Sequence, residues 1–206
     1  MTAETDWIDL AGRLGLDYEP ESVSAEFIPV LAHVRSVIDN GNYWQVSEDE
    51  LFDLYCLCRI SGAKVVIETG VGPGTSSYSI LSAISRNNGR LHSIDLGEKY
   101  GEDSEMPVGF VVPGSFRKFW NLNIGSSRHL LGKVLETSGK PDIFFHDSEH
   151  TYENVMFELE TVFPSLGKNS FIVVDNYDWT EAPKDFAEKN RLKLDRTHDD
   201  MCIISR

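Results

Sequence analysis

Two clusters of residues in this chain have the types and spacing for chemistry. The first is Glu68-Thr69-Gly70-Val71-Gly72-Pro73-Gly74-Thr75-Ser76. It follows the apolar run Val65-Val66-Ile67, so a carboxylate ends a strand, glycines make the turn, and hydroxyl residues open a helix. A glycine turn at a helix N-terminus lets backbone N–H groups approach a nucleotide-like ligand without Cβ interference. Thr75 or Ser76 is also placed to cap that helix. The second cluster is His146-Asp147-Ser148-Glu149-His150-Thr151-Tyr152-Glu153, dense in polar groups immediately after the apolar run Ile143-Phe144-Phe145. Polar residues at the C-terminal end of a strand sit where open α/β sheets bind ligands. Between the clusters, Arg90-Leu91-His92-Ser93-Ile94-Asp95 ends on an acid able to accept both hydroxyls of a ribose. Asn123-Ile124-Gly125-Ser126-Ser127 leads into a helical stretch, and Ser170-Phe171-Ile172-Val173-Val174-Asp175-Asn176 is a further strand with a polar end.

The dinucleotide fingerprint G-x-G-x-x-G, counted from Gly70, requires glycine where Thr75 stands. The pattern present, E-x-G-x-G-x-G, resembles instead the first motif of class I S-adenosylmethionine-dependent methyltransferases. The run Asp147-x-x-His150-x-Tyr152-Glu153 resembles a subgroup of small-molecule methyltransferases related to macrolide and catechol O-methyltransferases. The resemblance implies a Rossmann-like α/β fold: a mostly parallel seven-stranded sheet closed by a C-terminal antiparallel hairpin, with an N-terminal helical addition. It implies that Glu68, Gly70, Gly72, Gly74, Thr75, Ser76, Asp95, Ser126, Ser127 and Asp147 surround S-adenosylmethionine. Family members often carry Asp after the third-strand glycine, at the adenine contact; here it is Ser126. In metal-dependent members an Asp after the fourth strand and an acidic or Asp-Asn pair after the fifth bind Mg²⁺, which here maps to Asp147, Asp175 and Asn176. Three oxygen donors on adjacent strand ends suit a hard cation. His150 then takes the general base position, with Asp147 beside it, in O-methylation of a small hydroxylated acceptor.

Structural roles compete for the same residues. Ser126 is placed to be a helix N-cap, Asp147 to hold only the cofactor amine, and Asp175 and Asn176 to end a strand. His150 can serve a structural hydrogen bond, and His146 points to the opposite face from Asp147 as a packing residue. A metal-dependent oxygenase on the same scaffold, and a domain that binds the cofactor without catalysis, are the rival functions.

Certain elements must position these groups. Strands are expected at 64–69, 90–95, 119–124, 142–147 and 170–175, with helices at 75–87, 126–138 and 153–163. A short helix near 183–189 and two last strands, 191–197 and 201–205, follow, turning at His198-Asp199-Asp200. Residues 96–118 hold prolines and glycines without a clear period, which predicts a loop at the mouth of the site. The first 62 residues read as helical, one helix over 25–38 and another opened by the capping box Ser47-Glu48-Asp49-Glu50. Residues 1–62 are thus a helical cap and 63–206 the α/β domain, forming one compact unit. Asn42-Tyr43-Trp44-Gln45 is either a lid or a helix–helix turn with a buried Trp.

The chain has 206 residues, a net charge of −14 and a hydrophobic fraction of 41%, fitting one soluble domain with a full core. The acidity argues against nucleic acid and anionic membranes as partners, since both attract basic patches. No long apolar run or signal peptide is evident, and Cys56, Cys58 and Cys202 form no metal-type set, which predicts a cytoplasmic protein with reduced core thiols. Helical N-terminal additions of this kind allow a homodimer.

Overall fold

The computed structural model describes residues 3–38, 43–98 and 106–206, with the side chains of residues 3–6 excepted. Helices α1 (Ala3–Leu14), α2 (Pro20–Val37) and α3 (Glu48–Ile60) precede strand β1 (Val65–Thr69). Then follow α4 (Thr75–Ile84), β2 (Arg90–Asp95), β3 (Trp120–Ile124), α5 (Ser127–Ser138), β4 (Ile143–His146), α6 (Tyr152–Val162), β5 (Phe171–Val174), α7 (Ala182–Asn190), β6 (Lys193–Arg196) and β7 (Cys202–Ser205). The seven strands form one sheet in the order β3-β2-β1-β4-β5-β7-β6. All pairs are parallel except β5–β7 and β6–β7, so the expected closing hairpin is present.

Strand periodicity divides the molecule into two cores. Val66, Ile143, Phe145, Phe171, Val173 and Ile203 face one cluster, shared with α1–α4. Their neighbours Ile67, Phe144, Ile172, Val174 and Ile204 face the other, shared with α5–α7. Alternate side chains of a strand point to opposite faces, so a strand apolar at every position must be covered on both. β4, β5 and β7 are buried at every residue, as that argument requires.

The N-terminal helices are integral to the first core. Trp7 is fully buried, and its Nε1 donates to Asp53 Oδ1 of α3 at 2.6 Å. Asp53 also accepts the backbone N–H of His198 at 2.9 Å and lies 2.7 Å from that ring's Nδ1, tying α1 and α3 to the β6–β7 turn. The predicted capping box is formed: Ser47 Oγ accepts from the Glu50 N–H, and Glu50 Oε2 accepts from the Ser47 N–H at 2.7 Å.

Some expectations change. α2 begins at Pro20, five residues before the expected start, because proline is favoured in a helix's first turn. The expected loop over 96–118 ends in a 3₁₀ helix, Gly114–Phe119, and residues 99–105 lie outside the described residues. In the proposed lid, Asn42 also lies outside them, and Trp44 is 70% exposed rather than buried in a helix–helix turn.

Candidate functional site

The order of the sheet reverses between β1 and β4, and both strands run parallel. At such a switch point the two following loops diverge and leave a crevice at the C-terminal strand ends. The ladder continues one step beyond the strands: Asp147 N–H donates to Thr69 O at 2.8 Å, and Asp175 N–H donates to His146 O at 3.0 Å. Gly70, Asp147 and Asp175 are therefore neighbours at the crevice floor.

The glycine turn owes much of its composition to packing. Gly70 has φ +82°, and a Cβ there would lie 1.6 Å from the backbone oxygen of Asp147. Gly74 has φ +91°, and its Cβ would meet the Cα of Gly109 at 2.7 Å. The segment after β2 is laid across the turn, with Gly109 N–H donating to Gly72 O and Val111 N–H to Pro73 O. Gly74 itself is the N-cap of α4, so the expected side-chain cap from Thr75 or Ser76 is not formed. Thr75 is buried, and Ser76 instead donates to Glu68 Oε1 at 2.7 Å.

Glu68 is fully buried, and Ser77 and Ser93 hydroxyls donate to its Oε2, both at 2.6 Å. Burial lifts its carboxyl to about 7, against the opposing pull of the three hydroxyl donors. Its placement ties β1, β2 and the first turn of α4 together beneath the glycines. Asp95 ends β2 as expected; its Oδ2 accepts from the Val71 and Gly72 N–H groups at 2.9 and 3.1 Å, and its Oδ1 from Gly97 N–H at 2.7 Å. Ser126 is the N-cap of α5, accepting from Arg128 N–H at 3.3 Å, and Ser127 is the first residue of that helix.

Beyond β4 the polar cluster is organised by Glu158 of α6, which the helical pattern over 153–163 does not distinguish from its neighbours. Its buried Oε2 accepts from Thr69 Oγ1 at 2.5 Å and lies 2.7 Å from His146 Nδ1. Its Oε1 accepts from Ser148 Oγ at 2.9 Å and Asn154 Nδ2 at 3.3 Å. Burial pushes this carboxyl up, but the His146 contact and the hydroxyl donors outweigh it and hold the group below its ordinary value. His146 is therefore the internal residue expected, pointing away from the crevice. Only the burial of a glutamate on α6, invisible in a helical pattern, marks Glu158.

His150, Asp147 and Asp175 converge, with ligand-capable atoms all within 4.8 Å of one another. His150 Nε2 lies 3.7 Å from Asp147 Oδ1, and its ring packs 5.4 Å from the exposed Trp179. Burial lowers the His150 pKa, keeping its imidazole neutral and able to accept a proton. Asp147 and Asp175 both titrate well above the usual carboxylate range, first because burial disfavours their charged forms. At neutral pH two such neighbours hold a proton between them or require a cation. Asn176 adopts a left-handed φ of +50°, and its Nδ2 donates to Asp175 Oδ2. The donor set fits a hard divalent ion: carboxylates from adjacent strand ends, crowded enough to oppose each other's ionisation. Glu50 and Asp200 also approach Asp175, although in sequence they belong only to a capping box and a turn.

Comparison with known proteins gives the same outline. A methyltransferase from Geobacter sulfurreducens superimposes with TM-score 0.63 at 19% identity, covering 85% of this chain and 88% of that chain. An O-methyltransferase from Bacillus cereus in complex with SAH gives 0.57 at 16% identity, covering 88% and 91%. MycE, from the mycinamycin biosynthetic pathway, in complex with Mg, SAH and mycinamycin VI, gives 0.52 at 14% identity, covering 69% of this chain and 44% of that one. A search of curated protein sequences finds no match. The profile of the methyltransferase domain matches residues 67–177, more than half of the chain, running from the Glu68 strand through the Asp175-Asn176 pair. With the glycine turn, the β2 acid and the polar strand ends all inside that span, the chain belongs to the methyltransferase-domain family.

Proposed function

We propose that this protein transfers a methyl group from S-adenosylmethionine to a hydroxyl of a small molecule, with a divalent cation at the Asp147–Asp175 pair. The observation that carries this reading is the convergence of His150, whose pKa burial lowers, with two crowded carboxylates beside the glycine turn. S-adenosylmethionine, when bound, supplies a methyl group already activated on sulfonium, so the protein's part is alignment and proton removal.

Gly70, Gly72 and Gly74, supported by Glu68 and flanked by Thr75 and Ser76, shape the wall for the methionine end. Asp95, held by the Val71, Gly72 and Gly97 amides, presents its carboxylate at the end of β2 for the ribose. Ser126 and Ser127 at the start of α5 lie on the adenine side. A cation held by Asp147, Asp175 and Asn176 would lower the pKa of an acceptor hydroxyl. His150, facing Asp147 through Nε2, accepts that hydroxyl's proton. The Bacillus cereus neighbour in complex with SAH and the MycE complex with Mg, SAH and mycinamycin VI support the same assignment of cofactor, cation and acceptor class.

Calorimetric titration with S-adenosylhomocysteine, with Mg²⁺ and with EDTA, tests the cofactor; the expected result is micromolar or tighter binding. Transfer of labelled methyl to a panel of phenols and sugars tests the reaction. His150→Ala is expected to lower turnover by about 10²-fold or more while leaving S-adenosylhomocysteine binding intact. No binding in either condition, or full turnover by His150→Ala and Asp147→Ala, would overturn the proposal.

A further inference from the structure

A second trio of ligand atoms meets the first at Asp175. Glu50 on α3 and Asp200 in the β6–β7 turn each offer a carboxylate oxygen that, with one from Asp175, forms a set mutually within 4.8 Å. Asp147 and His150 belong to the other set, so the two trios share only Asp175. Sequence places Glu50 and Asp200 far apart. They meet because Ser47 Oγ, at the N-cap of α3, donates to Asp199 Oδ2 at 2.5 Å, and because Tyr177 N–H, just beyond β5, donates to Asp200 O at 2.8 Å.

An acidic cluster alone can be held together by protons. Glu50 adds a separate observation. Its residue is 3% exposed, its Oε2 is taken by the Ser47 N–H, and its buried Oε1 meets the Asp200 carboxylate rather than an N–H or hydroxyl donor, so that burial and the neighbouring Asp175 and Asp200 push the Glu50 carboxyl up to about 8. A buried carboxylate oxygen without a donor is costly unless something positive faces it. No Lys or Arg forms an ion pair with Glu50, Asp175 or Asp200 among the described residues.

We propose that Glu50, Asp175 and Asp200 hold a second divalent cation, with Asp175 bridging it to the cation at Asp147. Three carboxylates with no nitrogen or sulfur donor select a hard, oxygen-seeking ion such as Mg²⁺, Mn²⁺ or Ca²⁺. Bridged ions of this kind sit about 3.5–4 Å apart. The site pins α3 and the β6–β7 turn to the end of β5, so occupancy couples the N-terminal helices to the catalytic strand ends. This goes beyond the methyl-transfer reading and rests on it only for the cation at Asp147, with which it shares Asp175.

The test is Mn²⁺ titration followed by electron paramagnetic resonance of the free ion, on wild type, Glu50→Gln, Asp200→Asn and Asp147→Asn. S-adenosylhomocysteine binding is measured on the same samples. Wild type is expected to bind two Mn²⁺ per chain. Glu50→Gln and Asp200→Asn should each keep one and weaken the other at least tenfold, while Asp147→Asn should weaken the partner ion. The amide introduced by Glu50→Gln can still accept the Ser47 N–H, so the cap survives; Asp200→Asn, outside the helix, keeps the test intact if Glu50→Gln melts early. Wild type binding no Mn²⁺, or Glu50→Gln and Asp200→Asn leaving every bound Mn²⁺ at full affinity, would overturn the second site; one Mn²⁺ weakened by Glu50→Gln but not by Asp147→Asn would uphold it and remove only the cation at Asp147. S-adenosylhomocysteine binding alongside such a result would leave the methyltransferase reading standing.

Discussion

Glu68 carries a carboxyl lifted to about 7 by burial while serving three hydroxyl donors under the glycine turn. In the unfolded chain its carboxyl would titrate near 4.5, so between those values the native state binds the extra proton. Stability from this group is therefore fully present below about 4.5 and lost as pH rises through about 7. Glu68→Gln removes that dependence. Its urea-unfolding free energy relative to wild type should improve from pH 5 to pH 8 by up to about 3 kcal/mol, even though the amide disrupts one hydroxyl contact and lowers the baseline. An unchanged difference across that range would show that Glu68 is ionised throughout. Sequence alone puts this acid at the end of β1, but the hydroxyls that occupy it come from α4 and β2.

At the scale of elements, the β4–α6 connection is held by α6 itself. Glu158 reaches back to Thr69, His146, Ser148 and Asn154, spanning both ends of the loop that bears Asp147 and His150. Glu158→Ala would strand several buried donors and is expected to cost about 3–5 kcal/mol. Thermal unfolding measures that loss, and hydrogen exchange at residues 147–151 should rise more than exchange in the distant β6–β7 hairpin. Equal protection in both regions would mean that Glu158 does not position the loop. The elements themselves were legible. Apolar runs bounded by glycine and polar residues located all seven strands to within two residues, because period and punctuation are local. Glu158 was not legible, since on a helix projection a glutamate beside apolar neighbours is indistinguishable from one at the solvent edge.

Across the whole molecule, the N-terminal helices and the C-terminal hairpin are joined through Asp53, which is buried between Trp7 of α1 and His198 of the final turn. Asp53→Ala leaves the Trp7 N–H and the His198 backbone N–H without their acceptor. Each unsatisfied buried donor costs about 1–3 kcal/mol, so a loss of about 3 kcal/mol and a drop in melting temperature of several degrees are expected. A variant that melts within a degree of wild type would show that water replaces Asp53 at both contacts. The helices are therefore more than a cover on the crevice: they share a core with the sheet and deliver Glu50 to it.

By itself the sequence determined the α/β class, the glycine turn with its preceding acid, the β2 acid, and the polar strand ends at Asp147, His150, Asp175 and Asn176. These depend on spacing within one strand–turn–helix unit, and such spacing survives in one dimension. Tertiary structure alone decided that Gly70 is glycine because the Asp147 backbone passes where a side chain would stand, and that Ser76 serves Glu68 rather than capping α4. It alone brought Glu50 and Asp200 to Asp175. Contacts between residues distant along the chain depend on how sheet and helices pack, and a carboxylate carries no local signal of the charge it will meet.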